Sequence, residues 1–304
     1  SRIKLIGCAI NHNLAFGDPT ATSRSDGSLH SGGGVAVASA VGVNATIELS
    51  NCTVQHNAAG IFGGGVSIEG PQPVLFTDGT VISDNVCTHT GGGVHIVDGN
   101  VTATDTTIAG NRVVESFEVT HGGRSYLLSE AVHPFSRKSG NTELIKDYNA
   151  GLYAEGLPGN GGGLSLRVRS NLVLTRVKIL HNSVFKFGGG MHLQVQTSTA
   201  ARDLEVRNCF ATIRGGGITV MQAELHLRGE VALSDNTVLI GNGGGLSCQS
   251  GKVYVHEDGR VTFANNRAFA GGGVVVEAGT ILVMSGASLS LLNNNALTKG
   301  GGTM

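Results

Sequence analysis

A Gly-Gly-Gly triplet recurs nine times along this chain of 304 residues, and no other feature constrains the fold as strongly. Successive triplets lie about 27–31 residues apart, a period typical of solenoids, in which each repeat forms one turn and packs on its neighbours. The exception is the interval from Gly91 to Gly161, which is two and a half times as long. The triplets begin at Gly32, Gly63, Gly91, Gly161, Gly188, Gly215, Gly243, Gly271 and Gly300. We therefore expect residues 1–304 to form a single solenoid domain.

An alternating pattern of apolar and other residues follows most triplets, as in Val66-Ser67-Ile68 and Leu164-Ser165-Leu166. A period of two is typical of β-strands with one buried face. Each repeat holds several short strand patterns and no helical period. The sequence therefore predicts an all-β fold, a right-handed parallel β-helix of about ten coils with one large insertion.

An apolar-x-x-Asn motif precedes most triplets by a few residues. In a parallel stack the motif's Asn would lie above its equivalents, and its amide could form hydrogen bonds from coil to coil. At Asn208 the motif departs, because its apolar residue Val206 is displaced by one position. The predicted ladder consists of Asn13, Asn57, Asn85, Asn111, Asn182, Asn208, Asn236, Asn266 and Asn295.

The segment 263–274 reads Phe-Ala-Asn-Asn-Arg-Ala-Phe-Ala-Gly-Gly-Gly-Val and resembles the repeat of the chlamydial polymorphic membrane proteins. Those proteins carry tandem Phe-x-x-Asn and Gly-Gly-Ala-(Ile/Leu/Val) motifs on a β-helix passenger, and similar repeats occur in large surface proteins of algae and other protists. Here the third residue of the glycine motif is Gly in place of Ala. The resemblance implies a β-helix that is extracellular or at the cell surface.

Two segments interrupt the repeat. Residues 16–31 are rich in Ser, Thr, Gly and Asp, which predicts a surface loop. The long interval is expected to contain two repeats and an insertion at 115–159, with His121-Gly122-Gly123 as a degenerate triplet. This insertion is either a neutral expansion of one coil or a contact surface for proteins or glycans, since tyrosine-bearing loops suit such contacts. Its tyrosines are Tyr126, Tyr148 and Tyr153.

Five cysteines are present, and none forms a Cys-x-x-Cys pair of the kind found in zinc sites. Cys8 and Cys52 occupy the same position in the repeat. Equivalent Cα atoms in adjacent coils lie about 4.8 Å apart, inside the range that a disulfide can bridge. Cys8 and Cys52 therefore form either a disulfide or two stacked thiols that behave as small apolar residues.

Three Asn-x-Thr sequons are candidate sites of N-glycosylation. Asn44 and Asn100 fall in expected turns and are the better candidates. Asn51 lies beside a strand of the repeat.

Composition and motif spacing argue against several classes of function. The net charge is −1, from 21 basic and 22 acidic residues, whereas a nucleic-acid binder normally has a basic face. No apolar run approaches the length of a membrane-spanning helix. The acidic residues do not share a column in successive coils, and His95 and His192 share one without a carboxylate pair. We expect no catalytic residues, no cofactor and no metal ligands.

The two ends of the sequence lie within the repeat, and an uncapped solenoid exposes strand edges that invite pairing. We therefore expect a segment of a longer rod, stacked end to end with flanking segments or other copies. The predicted function is that of an extracellular or cell-surface structural or adhesive β-solenoid that contacts surface proteins or glycans through the insertion. The alternative is a polysaccharide lyase or hydrolase with its site near 115–159, where two or more acids and a base would converge in one groove.

Overall fold

The computed structural model describes residues 2–15, 32–38, 45–114, 116–121, 124–129 and 159–302. Every regular element in this part of the chain is a β-strand, and the strands stack as parallel sheets into a β-solenoid of about eight turns. The predicted fold class is confirmed, with slightly fewer turns than expected. Over the same residues, no helix has the length and apolar character needed to cross a membrane.

Three parallel sheets form the walls of the solenoid. The wide sheet has 16 strands because most turns contribute two successive segments to it. Its strands are Arg2–Ile6, Ala9–Asn11, Thr46–Ser50, Thr53–Gln55, Pro73–Thr77, Val81–Ser83, Asn100–Thr104, Thr107–Ala109, Asn171–Leu180, Ser198–Arg207, Glu224–Arg228, Glu230–Ser234, Lys252–Val255, Arg260–Ala264, Thr280–Val283 and Ser288–Leu292.

The other two walls have one strand per turn. The nine-stranded sheet follows the asparagine motif and contains Leu14–Ala15, Ala58–Ala59, Val86–Cys87, Arg112–Val113, Ser183–Val184, Phe210–Ala211, Thr237–Val238, Arg267–Ala270 and Asn295–Lys299. The eight-stranded sheet follows the glycine triplets and contains Val35–Ala38, Val66–Glu69, Val94–Val97, Leu164–Arg167, Met191–Leu193, Ile218–Met221, Leu246–Gln249 and Val274–Glu277.

The core lies inside the coil and is built from in-register columns of apolar side chains. Val66 pairs with Val94, which pairs with Leu164, and all three are buried. In the wide sheet Ile82 and Ile108 form a similar buried column. Because strand side chains alternate between faces, the alternating pattern in the sequence places every second residue in this core.

The glycine triplet excludes side chains at each of its three positions. Gly63 has φ of +59°, a left-handed conformation that disfavours residues with a Cβ. A Cβ on Gly64 would lie 2.4 Å from the carbonyl oxygen of Gly92 in the next turn. A Cβ on Gly65 would lie 2.8 Å from Nδ2 of Asn85. The triplets are thus required by the corner, by the stacking of turns and by the asparagine side chain.

The expectation that the long interval holds two repeats is wrong. Gly91 donates its backbone N–H to the carbonyl oxygen of Asn160 at 3.0 Å, so the turn before the interval stacks directly on the turn after it. The sequence His121-Gly122-Gly123 is not a solenoid triplet, because His121 pairs with Arg124 in an antiparallel hairpin. The hairpin strands are Ser116–His121 and Arg124–Ser129. The interval is therefore one turn with a long insertion.

Candidate functional site

Most of the motif asparagines lie in one hydrogen-bonded column, in which one level is occupied by a cysteine. Asn57 donates from its backbone N–H and from Nδ2 to Oδ1 of Asn85, at 2.9 and 3.0 Å, and Asn85 repeats both bonds to Asn111. Each amide also donates to a carbonyl oxygen of the preceding turn, as Asn85 does to Val54 at 3.0 Å. These buried amides are thereby satisfied while they fix the register of the turns.

Two of the predicted ladder residues are wrong by one position. The column continues from Asn182 to Cys209, whose backbone N–H donates to Oδ1 of Asn236 at 3.0 Å. Asn208 instead occupies the left-handed corner before the column, with φ of 54°. In the turn after Asn266 the column residue is Asn294 rather than Asn295. The backbone N–H and Nδ2 of Asn266 both donate to Oδ1 of Asn294 at 3.0 Å.

The two errors share a physical cause. The column residue lies three positions after the apolar residue that points into the core. Val206 points inward, so the column residue three positions later is Cys209. Leu291 pairs with the buried Phe263, so the column residue three positions later is Asn294. The neighbouring Leu292 faces outward, so the spacing from Leu292 to Asn295 misled the prediction.

All five cysteines are free thiols in this structure. Cys8 and Cys52 are stacked in adjacent turns, as expected, but they do not form the possible disulfide. The sulfur of Cys52 lies 3.3 Å from the carbonyl oxygen of Leu5, and that of Cys8 lies 3.5 Å from that of Ile6. Desolvation raises the pKa of the Cys87 and Cys209 thiols to about 12.

Of the two sequons that lie in the described residues, Asn51 is beside a strand as expected, and Asn100 differs from the expectation. Asn100 is the first residue of a strand rather than part of a turn, and its side chain accepts a hydrogen bond from Nδ2 of Asn171 at 3.0 Å. Asn51 lies at an exposed left-handed corner. Asn44 lies outside the described residues, as do the predicted loop at 16–31, Tyr148, Tyr153 and the side chain of Tyr126.

A buried polar layer lies on the outward side of the eight-stranded sheet. His95, Ser165 and His192 form one in-register column, and each is at most 1% exposed. His95 forms a hydrogen bond with Oγ1 of Thr90 at 2.9 Å and stacks on Phe62. Burial, and secondarily the charge of Arg167, lower the pKa of His192 to about 3 and that of His95 well below its usual value. Both rings are therefore neutral.

The outward face of the wide sheet carries a row of apolar and aromatic side chains. Val173, Ala200, His226, Tyr254 and Leu282 pair in register across successive strands. We call this row the axial stripe; it runs for about 19 Å along the solenoid axis. The rings of His226 and Tyr254 stack within it, with centroids 4.6 Å apart and an interplanar angle of 6°. The stripe is therefore apolar and aromatic but open to solvent.

Charged side chains flank the stripe and hold one another in place. On one side Asp258 receives a hydrogen bond from Arg202 at 2.5 Å and pairs with Arg228 at 3.5 Å. The hydrogen bond from Arg202, opposed by desolvation, is the main cause of a lowered pKa at Asp258. On the other side Lys252 pairs with Glu224 at 3.7 Å. With Glu257, which is next to Asp258, three acidic and three basic side chains flank the stripe, so the charges balance.

Two imidazoles connect the flanks. Nδ1 of His226 lies 3.0 Å from Nε2 of His256, and Nδ1 of His256 lies 3.0 Å from Nη2 of Arg228. Nε2 of His226 faces Glu224 at 3.8 Å. The described residues contain no group of three His, Cys, Asp or Glu side chains that could hold a metal ion.

Reasoning from the sequence missed this surface. Its signal is the pair of segments Glu224-Leu225-His226-Leu227-Arg228 and Lys252-Val253-Tyr254-Val255-His256, which lie one repeat apart. In both, polar or aromatic residues alternate with core residues. An offset of one repeat places them side by side on the outer face.

The comparisons with known proteins add no relative. No protein-family model, curated protein or solved structure matches the chain.

Proposed function

We propose that this protein is a structural and adhesive β-solenoid that acts outside the cell or at its surface and binds an extended glycan along the axial stripe. The observation that carries the proposal is the open row from Val173 to Leu282, flanked by polar side chains that pair with one another. The proposed location rests on the resemblance of the repeat to surface-protein repeats. The proposed adhesive surface is therefore on the wide sheet, whereas the sequence predicted it in the insertion at 115–159.

The stripe favours a partner that has apolar faces and many hydroxyl groups. A peptide that added as a β-strand would need a free strand edge, but the strands beneath the stripe are paired in parallel with their neighbours. A polyanion would need an excess of basic groups, and here the charges balance. A sugar chain can place its C–H faces on the rings of His226 and Tyr254 and its hydroxyls on the polar flanks.

A carbohydrate-active enzyme is the second candidate, with its site on the wide sheet rather than near the insertion at 115–159, because Glu224, Asp258 and two imidazoles lie on this face. Hydrolysis with two carboxyl groups needs one of them to be protonated near neutral pH, with a raised pKa. The pKa of Asp258 is instead lowered, first by its hydrogen bond with Arg202. This charge state favours binding over hydrolysis.

End-to-end stacking completes the proposed structural role. At the two ends of the described stack, Leu5 and Leu291 pack on the core but are only partly buried. A further level of strands, supplied by this chain or by another copy, would cover such apolar edges. Contacts of this kind are head-to-tail and generate rods. Electron microscopy of the native material would show rods under this proposal, and isolated compact particles would contradict it.

Binding to insoluble cellulose, chitin and pectin tests the adhesive role. We expect the wild-type protein to be retained on at least one of them, and Tyr254→Ala to weaken retention about fivefold or more, since an aromatic contact of this size contributes about 1 kcal/mol or more. The matched control is Thr262→Ala, which alters an outward residue on the same turn but away from the stripe. Equal retention of the wild type and Tyr254→Ala, or none on any polymer, would contradict the proposal. Release of reducing sugars would favour the enzyme.

A further inference from the structure

The hydrogen bonds across the axial stripe have a single direction. A guanidinium group only donates, so Nδ1 of His256 must accept from Arg228. The proton of neutral His256 is therefore on Nε2, and it is donated to Nδ1 of His226. The proton of His226 is in turn on Nε2, which faces the carboxylate of Glu224. The chain runs Arg228→His256→His226→Glu224.

We propose that His226 and His256 form a latch that one added proton opens. With both rings neutral, the latch joins the strand Glu224–Arg228 to the next turn and fixes the polar flanks of the stripe. Its consequence for ligand binding rests on the proposed glycan-binding function. The latch itself is a property of the local geometry and is measured separately.

The reason lies in the number of donors. A proton added to His256 places an N–H on its Nδ1, directly against the donating Arg228. A proton added to His226 places an N–H on its Nδ1, against the donating Nε2 of His256. If His256 then moves its own proton to Nδ1, that proton again meets Arg228. Every singly protonated state thus sets two donors face to face, and one hydrogen bond must break.

The charged and titratable groups around the pair come from three turns. The cations are as numerous as the carboxylates, so a proton on either ring makes the cluster net positive. Beside the two histidines, the cluster contains Arg228 and Glu224 on the first strand, Lys252 and Tyr254 on the neighbouring strand, Glu257 and Asp258 on the corner after His256, and Arg202 on the preceding turn.

These charges do not remove the conflict between donors. Desolvation is the largest cause of the lowered pKa of His256, followed by the charges of Arg228 and His226. Asp258 and Glu257 oppose that shift without cancelling it. The neutral state of the His256 ring is therefore favoured by its surroundings.

Opening the latch would break one of the two hydrogen bonds of His256. If the bond with Arg228 breaks, Arg228 keeps only Asp258 on that flank. If the bond with His226 breaks, the ring of His226 loses the contact that holds it parallel to Tyr254. Either break loosens the side chains that line the stripe. Acidification should therefore weaken a ligand that is bound along the stripe.

Nitrogen-15 NMR of the histidine rings in the full chain, between pH 8 and pH 4, tests the latch. At pH 8 both rings should be neutral with the proton on Nε2, and His256 should titrate below the ordinary histidine range. Arg228→Met removes the donor that sets the direction, and it should raise the titration midpoint of His256 by about half a pH unit or more. The matched control is Arg260→Met, which removes an exposed arginine of the same turn whose partner is Glu230.

Some results would overturn the latch. A proton on Nδ1 of His256 at pH 8 would show that Arg228 does not set the tautomer. The same conclusion would follow if Arg228→Met and Arg260→Met left the titration of His256 equally unchanged. Retention on polysaccharide at pH 7.5 and pH 5 is the second readout, and it should fall several-fold on acidification in the wild type. If no polysaccharide binds at any pH, the binding function fails while the NMR result still decides the latch.

Discussion

Nδ2 of Asn57 donates to Oδ1 of Asn85 at 3.0 Å, across one full turn of the solenoid. Asn57 also donates to the carbonyl oxygen of Ile10 and accepts from the backbone and side chain of Asn13. Every donor and acceptor of this buried amide is therefore used. Because the same pattern recurs from turn to turn, the column joins neighbouring turns by side-chain bonds as well as by the sheets.

Replacement of Asn85 by Leu should destabilise the protein. The backbone and side-chain donors of Asn57 would lose their acceptor, and Oδ1 of Asn111 would lose a donor. Each buried group left unpaired costs about 1–3 kcal/mol. Thermal unfolding followed by circular dichroism measures the effect. A melting temperature equal to that of the wild type would show that the column contributes nothing to stability.

Placing an asparagine in the column at Cys209 should stabilise the protein. Cys209→Asn would place an amide in the position where the sulfur now lies 3.6 Å from the carbonyl oxygen of Ile179. The new Nδ2 could donate to that oxygen and to Asn236, and the new Oδ1 could accept from Asn182. We expect a gain of about 1 kcal/mol. A lower melting temperature for this variant would indicate that the column has no room for an amide at this level.

Gly65→Ala should destabilise the protein by about 1–3 kcal/mol through overpacking. The added Cβ would lie 2.8 Å from both Nδ2 of Asn85 and the carbonyl oxygen of Gly93. Gly302→Ala is the matched control, since it alters the third glycine of another triplet, where the nearest atom to a Cβ is 3.7 Å away. Chemical denaturation of both variants tests this difference. Equal stabilities would contradict the steric explanation of the triplet.

The stability of the protein should fall on acidification because of His192. The pKa of this residue is about 3 when folded, against 6.5 for the ordinary side chain. Between these values the unfolded state binds a proton that the folded state does not. Stability is therefore lost as the pH falls from about 6.5 toward 3, by about 1.4 kcal/mol per pH unit.

His192→Phe should keep the stacking on Phe187. It should also reduce the slope of the free energy of unfolding against pH by the contribution of one proton. The pKa of His95 is also lowered, so His95 should still contribute to the pH dependence of stability in this variant. Unfolding in urea at several pH values measures the slope. An unchanged slope in His192→Phe would contradict the assignment of His192 as a buried neutral ring.

How far the sequence predicts this structure depends on whether a feature is repeated. The glycine triplets predict the solenoid because every triplet on which a further described turn stacks meets the same three steric demands, as at Gly63, Gly64 and Gly65. The apolar-x-x-Asn motif predicts most of the column but fails at Asn208 and Asn295. Leu291 and Leu292 both fit the motif, with Asn294 and Asn295 respectively, whereas near Asn208 the column position holds Cys209. In both turns the inward-facing apolar residue decides which position joins the column.

Features that occur once were not predicted. The long interval between the triplets at Gly91 and Gly161 is compatible with one turn or with two, because residue number does not fix which strands pair. Only the stacking of Gly91 on Asn160 decides between them. The axial stripe depends on residues that lie one repeat apart, such as His226 and Tyr254. The alternating pattern marks which residues face outward but not which of them become neighbours, so the stripe is found only after the register is known.

The central claim is that equivalent residues lie above one another in successive turns, also across the long interval. Thr102 pairs with Val173 in the described register. With Cys8 replaced by Ser, the pair Thr102→Cys and Val173→Cys should form a disulfide on mild oxidation, since their Cα atoms would lie about 4.8 Å apart. Thr102→Cys with Ala200→Cys is the control and should not cross-link, because it spans two levels, or about 10 Å. Peptide mapping that finds no link between positions 102 and 173, as an extra turn between these residues would require, would contradict the account.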